Sequence, residues 1–353
     1  MRIIDHYVGR TVLAAIAMML LAIVGLDLIF RLIDELNALG GDYQLAHALS
    51  YTLMTTPSRV TEMLPISALV GCLAGLGSMA TNSELVVMRA AGVSVRHLVW
   101  AAMKPALLLL AIAMSVSEFI APKLDQMAES QRELQKNHAQ SLISGSGLWN
   151  REGNEFMHFN VVQPNGVLYG VTIFHYDDER RLQTSLFAKR ATYGKGEWTL
   201  ESVVGTRFAG DRTEPVQHNT LPWRSQLSPE LLDLVSLDAS DLSLRGLWRY
   251  STYLGDQGLA NSEYLLAFWS KAMLPLSTLS LVLVAISFIF GPLRSVTMGF
   301  RIFCGVLIGI VFRTTQNMLG PASVVYGFAP FYASLVPILI CVVIGTLMLR
   351  RVR

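Results

Sequence analysis

The stretch Thr81-Asn82-Ser83-Glu84-Leu85-Val86-Val87-Met88-Arg89-Ala90-Ala91-Gly92-Val93-Ser94-Val95 lies between two long apolar runs, and the fold is read outward from it. Thr81 followed three residues later by Glu84 has the spacing of a capping box, in which hydroxyl and carboxylate each accept from an orphan backbone N–H. Gly92 falls where a C′ glycine ends a helix. A short helix within 81–95 is therefore expected. Leu85, Val86, Val87 and Met88 are too apolar for a solvated hairpin. Either they fold back on the neighbouring membrane helices while Glu84 only caps, or the helix lies in a groove of another protein.

Six apolar runs surround it, at about 11–33, 63–81, 98–121, 272–293, 300–320 and 329–349. Each has roughly the 20-residue length that crosses a bilayer core. With 52% hydrophobic residues in 353, the chain reads as a polytopic membrane protein rather than a soluble enzyme. A net charge of +2, with no basic cluster interleaved with aromatics, excludes a nucleic-acid partner. The first run lacks a small-residue cleavage site and is expected to stay as a helix. Gly71, Ala74, Gly75 and Gly77 in the second run would let another span approach closely.

Six spans put both termini on one side. Arg2, Arg10, Arg89, Arg96, Arg294, Arg301 and the C-terminal arginines fall in segments facing that side. The opposite loop, 34–62, carries Asp34, Glu35, Asp42 and Glu62 against Arg59. The Lys/Arg bias places both termini and the 81–95 helix in the cytoplasm. Residues 1–121 then hold three spans, 122–262 an external section, and 263–353 three more spans.

The external section opens with a polar helical stretch, Leu124 to Gln140, and then alternates over 155–161, 167–174, 182–192 and 198–204. Asn165-Gly166, Asp177-Asp178, Gly194-Lys195-Gly196 and Gly210-Asp211 mark turns between these runs. An antiparallel sandwich, jelly roll or open barrel is expected, and about 140 residues suffice for a core. A second helical stretch follows Asp241 or Ser243, with Leu244, Leu247, Trp248 and Leu254 near one face, and Ser262 reads as the cap of span four. Cys72, Cys304 and Cys341 all lie in apolar runs, so the external section folds without disulfides and no cysteine spacing suggests a metal.

No Walker A phosphate cradle and no G-x-S-x-G occurs, and the seven histidines never pair at metal-ligand spacing. Gly145-Ser146-Gly147 reads as a turn. Catalysis by this chain, and any cofactor, are not expected. What remains are ionisable groups in or near the membrane, which are costly unless paired, hydrated or used. No motif groups Asp27, Arg31, Glu118 and Arg313 for acid–base work. Arg31 has two readings: a partner of Asp27 or Glu35 that snorkels outward, or a guanidinium facing a cavity and an anionic head group. Arg313 suits a structural pairing or local water, and Arg132 a solvated helix face. Pro292, within Phe290-Gly291-Pro292-Leu293-Arg294-Ser295, ends span four.

Ser83-Glu84-Leu85-Val86-Val87-Met88-Arg89-Ala90-Ala91-Gly92 resembles the coupling-helix motif of the lipopolysaccharide export permeases, the LptF/LptG family, and its LptG branch most closely. The resemblance extends over Asp5-x-Tyr7, Ala121-Pro122, Gly147-Leu148-Trp149, residues 288–295, Gly320-Pro321 and Val325-Tyr326-Gly327. It implies the membrane subunit of an ABC exporter: six spans with an inserted periplasmic β-jelly-roll domain, in the bacterial inner membrane. The implied partners are an LptF-like subunit, an LptB-like cytoplasmic ATPase dimer, an LptC-like periplasmic bridge and lipopolysaccharide itself. Glu84, Leu85, Val86, Met88 and Arg89 would then couple to the ATPase. Leu26, Phe30, Arg31, Arg132 and Ile308 would meet the lipid. The family's further basic residues after span one are Asn37 and Ala38 here, which implies that a partner or Arg31 alone supplies more of the head-group grip. An amphiphile with roughly fifty methylenes would cost about 40 kcal/mol to expose, at ~0.8 kcal/mol per methylene. An apolar trough in the external domain, continuous with a cavity between spans, would avoid that exposure. The other reading is a mechanotransmission or scaffold protein that binds a periplasmic partner and moves no lipid, marked by a closed, packed external core.

Overall fold

The apolar runs become helices, the first and fifth of which extend past their runs at both ends. A computed structural model of the chain describes residues 2–40, 43–137, 148–163, 166–194, 196–210, 212–225, 227–229, 231–232, 238–291 and 296–351. Before the sheet lie α1 (Arg2–Asn37), α2 (Leu45–Met54), α3 (Thr56–Thr81), α4 (Glu84–Ala90), α5 (Val95–Phe119) and α6 (Ala121–Asn137). After it come α7 (Leu244–Asp256), α8 (Ser262–Ala272), α9 (Leu274–Phe290), α10 (Met298–Tyr326) and α11 (Pro330–Arg351). Five described helices, α1, α3, α5, α10 and α11, are each long and apolar enough to cross a membrane.

Span four differs from the expected straight run over 272–293. It is a pair of helices, α8 and α9, bent by 47° at Met273. Pro275 causes the break: it lacks the N–H that would bond the Lys271 carbonyl, and its ring clashes with that carbonyl in a continuous helix. The cap also differs, since Asn261 occupies the N-cap and Ser262 is the first helical residue. Pro292 and its neighbours 293–295 lie outside the described residues, as does the Gly145-Ser146-Gly147 turn. The segment 34–62, expected as a loop, contains the ten residues of α2. Ala48 and Thr52 of α2 are buried, so contact with neighbouring helices stabilises a helix too short to persist alone.

The glycines of α3 do what their spacing suggested. A Cβ at Gly71 would lie 2.5 Å from the Ile16 Cα of α1, and one at Gly75 would lie 3.2 Å from the Val12 Cα. Both neighbours are helix backbone and cannot step aside. Gly71→Ala is expected to destabilise the α1–α3 pair by about 1–3 kcal/mol through overpacking. A lowered thermal midpoint in detergent checks this; an unchanged midpoint would contradict the close approach.

Six strands follow: β1 (Leu148–Glu152), β2 (Glu155–Gln163), β3 (Val167–Tyr176), β4 (Leu182–Gly194), β5 (Glu197–Ala209) and β6 (Arg212–Trp223). They form one antiparallel sheet in chain order. A jelly roll divides its strands between two sheets by Greek-key connections, so the expected jelly roll is not the connectivity of the described strands. They are an up-and-down meander, and the meander is bent. Pairing lapses at Asn160, Gly170, Lys189, Ser202 and Asn219, one residue in each of β2 to β6, and resumes beyond without slipping. Gly170 and Ser202 have φ of +61° and +54° there. Inward residues stand three apart across this line, Leu168 then Val171, Ala188 then Ala191, Leu200 then Val203, where a flat strand would place them two apart. Both halves thus turn apolar faces to one cluster, which includes Phe159, Trp198 and Trp223. Tyr250 and Leu254 of α7 pack onto the same cluster.

The start of α7 is held to the end of α5. The Glu118 carboxylate at the end of α5 accepts from the backbone N–H of Leu244 at 2.9 Å and of Arg245 at 3.4 Å, where the positive end of the α7 dipole favours it. Ser243 caps α7, its Oγ accepting from the Gly246 N–H at 3.0 Å. Glu118 is therefore a structural cap.

Candidate functional site

Helix α4 has seven residues and no capping box. Thr81 instead ends α3, its hydroxyl donating to the Gly77 carbonyl at 2.9 Å. Ser83 takes the N-cap position with φ +63°, which turns the chain sharply out of α3 and frees Glu84 from capping. The C-terminal expectation holds. Gly92, at φ +88°, donates to the Arg89 carbonyl and Val93 to the Met88 carbonyl, a Schellman closure.

The apolar residues of α4 divide between the two readings. Leu85 is buried in the span core and Met88 packs against it, so these two fold back. Val86 and Val87 are 46% and 65% exposed and face away, with Ala90 beside them. Val87, read from the sequence only as one of four apolar residues in this stretch, was not among the expected coupling residues; the direction in which α4 leaves α3 brings it out.

Three side chains tie α4 and its approaches to other spans. Tyr7 of α1 donates its hydroxyl to the Glu84 carboxylate at 2.9 Å. Asp5, two residues earlier, pairs with His97 and with Lys104 of α5, the latter at 3.1 Å. The Asp5-x-Tyr7 pair is thus a clasp across the α4 hairpin. From the other side, Arg301 of α10 donates to the Gly77 carbonyl and to the Thr81 hydroxyl at 2.8 Å, at the C-terminal end of α3. Arg301 is only 1% exposed, and a carbonyl-rich helix end is where a buried guanidinium finds acceptors. Gly77 leaves the room, because a Cβ there would lie 3.1 Å from the Arg301 Cδ. Sequence reading placed Arg301 at the start of span five and gave it no role beyond the charge bias.

At the far end of the spans lies a second charged group. Arg31 pairs with Asp27 of its own helix at 2.9 Å, the first of its two readings, and stays one-third exposed. Arg132 is not on a solvated face. It pairs with Glu35 at 2.7 Å and with Glu129 at 3.2 Å, and its guanidinium lies over the Tyr51 ring at 4.9 Å. Tyr43 donates to Glu35 at 2.9 Å, and burial followed by that hydrogen bond pushes its hydroxyl up to about 12. Arg313 pairs with Glu62 of α3, the structural alternative.

Leu26 and Phe30 on α1 are 57% and 59% exposed. Ile308 is half-buried against the span core, whereas Phe303, Leu307, Ile310 and Val311 of α10 are exposed. Both α1 and α10 therefore carry apolar stripes that nothing in the chain covers among the described residues.

Asp125 of α6 gives a pH-dependent signature. Burial holds its carboxyl up at about 6, against the hydrogen bond from Ser58, and its Oδ1 has no hydrogen-bond partner. Between about pH 4 and 6 the folded state keeps a proton that the unfolded chain releases, so stability falls as pH rises through that window. The full cost is present above it and none below. Asp125→Asn is expected to raise the thermal midpoint at pH 8 and leave it unchanged at pH 4; equal shifts at both would contradict the assignment.

Spans clasped to one short hairpin helix, with a bent antiparallel sheet inserted between the third and fourth, define a multi-pass membrane protein with an inserted β section. The chain belongs to the lipopolysaccharide export system permease LptF/LptG family, whose model matches residues 6–351. It is 36% identical over 343 residues to the lipopolysaccharide export system permease protein LptG of Escherichia coli (strain K12), covering 95% of this chain and 94% of that protein. It is 34% identical over 353 residues to the protein of the same name from Haemophilus influenzae, covering 99% of each.

Proposed function

We propose that the chain is the LptG-like half of an ATP-driven exporter that lifts lipopolysaccharide out of the bacterial inner membrane. An LptF-like subunit completes the pair, an LptB-like ATPase dimer works beneath it, and an LptC-like protein receives the lipid outside. Both termini and α4 are cytoplasmic in this reading, residues 122–262 form the periplasmic section, and the chain itself hydrolyses nothing.

The observation that carries it is the double tether. α1 and α10 both carry exposed apolar stripes, as α5 and α11 also do, and both are tied by Tyr7 and Arg301 to the α4 hairpin. A push on Glu84, Val86, Val87 and Arg89 reaches both spans through short hydrogen bonds, while Leu85 and Met88 fix α4 to the bundle. Leu26 and Phe30 on α1 meet acyl chains, with Leu307 and Ile310 serving on α10 in the place first given to Ile308. Arg31 and Arg132 offer guanidinium donors to head-group phosphate beyond their carboxylate pairings.

The packed sheet interior, where Trp198 is fully buried, favours the rival scaffold role for that section, since a trough there is filled by side chains. One experiment separates the two. The assembled complex in proteoliposomes loaded with lipopolysaccharide is supplied with ATP and a soluble LptC-like acceptor. Transfer that needs both the ATPase and this chain supports export. Unchanged lipid distribution, with the acceptor still bound, supports the scaffold.

A further inference from the structure

The sheet-side end of the bundle carries a run of aromatic rings. Trp269 of α8 packs on Phe331, at the start of α11, with ring centroids 4.8 Å apart. Phe268 adjoins Trp269 at 5.2 Å and Tyr332 adjoins Phe331 at 5.6 Å, while Phe119 stands exposed at the end of α5. Rings gathered at one end of several spans mark the layer where lipid head groups meet water. Helix α7 starts in that layer. The Glu118 carboxylate in the last turn of α5 accepts from its first N–H groups, and Lys271 of α8 donates to the Leu242 carbonyl just before it at 2.8 Å.

The two faces of α7 differ in character. Leu247, Tyr250 and Leu254 are buried against the sheet cluster and α8. Arg245, Trp248, Arg249 and Thr252, spaced i, i+3, i+4 and i+7, are all exposed on the other face. Trp248 continues the aromatic run, 5.3 Å from Phe268, yet 55% of it is uncovered. Arg245 is 87% exposed; the Glu118 carboxylate lies 3.9 Å away and already accepts from two backbone N–H groups. A guanidinium has five donors, so most of those of Arg245 reach outward. The exposed carboxylate on this face, Asp256, lies at the far end of the helix, about three turns away.

We propose that this face of α7 docks on the bilayer that holds the spans, in the leaflet on the sheet side. Trp248 enters the head-group layer, and Arg245 donates to the phosphate of an anionic phospholipid. An aromatic ring with a cation beside it is the composition that holds a helix at that depth. The occupant is lipid because the face continues the rings at the ends of α8 and α11. Its charge is positive where it meets them and negative at the distal end. Since the sheet cluster packs on the opposite face of α7, the contact fixes the sheet relative to the membrane surface. The assignment requires only that the spans cross a bilayer, and not the export reading.

The test uses the intact chain with its assembled partners in nanodiscs. Trp248 is read as the difference in tryptophan fluorescence between the native protein and Trp248→Phe, which keeps a ring on Phe268. Phospholipid brominated near its head group should halve that component, and iodide in the water should quench it less. Brominated phosphatidylglycerol should occupy the site about fivefold more often than brominated phosphatidylcholine, the worth of one arginine beside an anionic lipid. Arg245→Gln, which retains every tryptophan, should remove most of that preference. Quenching by iodide alone would show a solvated face, and quenching by neither would show a partner protein over Trp248; each overturns the docking. Equal quenching by the two lipids in the native protein, or a preference unchanged in Arg245→Gln, would overturn the phosphate assignment.

Discussion

Glu84→Ala is expected to lower lipopolysaccharide export roughly thirtyfold while the chain still inserts and folds. A hydrogen bond to a charged group contributes about 2 kcal/mol, which corresponds to roughly thirtyfold in an equilibrium constant. Glu84 holds Tyr7 inside the chain, and its half-exposed position beside Val86 and Val87 leaves it reachable by a partner. Tyr7→Phe separates these two duties, because it removes only the internal tether. That variant should lose roughly tenfold, the worth of about 1.5 kcal/mol for a bond to a charged group, and the remainder of the Glu84 effect belongs to the partner contact. Export rates with ATP in proteoliposomes, together with the ATPase retained on purification, measure both. Normal export by Glu84→Ala would remove the residue from the mechanism.

Arg301→Met should have the other large effect. It removes two charge-assisted hydrogen bonds to the end of α3, each worth about 1.5–3 kcal/mol, while the Thr81 hydroxyl still donates to the Gly77 carbonyl. A lowered thermal midpoint is therefore expected, together with ATP hydrolysis that continues while export stops, because α10 no longer follows the end of α3. Arg301→Lys keeps a positive charge at that helix end but cannot reach both acceptors in the same fork, so an intermediate phenotype is expected. Export and hydrolysis falling in proportion in Arg301→Met would mean that the residue only stabilises the bundle.

The spans were legible because twenty apolar residues in a row have few other uses. The inner strands were legible because Met157 and Phe159, or Trp198 and Leu200, alternate with polar neighbours. The edges were not. β1 has five residues, and β6 is exposed along most of its length and carries Pro215 and Pro222, which an edge tolerates and an alternation search discards. The bend across β2 to β6 was hidden for a similar reason: a phase change at Gly170 or Ser202 looks like the end of a strand until its partners show the same change. At the site, the position of α4 and the Gly92 stop were readable. The Thr81–Glu84 capping box was a local pattern overridden by tertiary partners, since Thr81 serves Arg301 and Glu84 serves Tyr7. Contacts between residues more than seventy apart in the chain leave no mark in spacing. The same holds for Arg132, whose partners Glu35 and Tyr51 come from other helices.

The most direct measurement is proximity at α4. A cysteine replacing Val87, the most exposed apolar residue of that helix, carries a photoreactive group in the assembled complex in membranes. Crosslinking to a nucleotide-hydrolysing subunit, with a yield that changes when ATP binds, is the expected result. Labelling of that cysteine by a membrane-impermeant reagent from the side that holds the sheet would contradict it, as would export at the normal rate with no such crosslink.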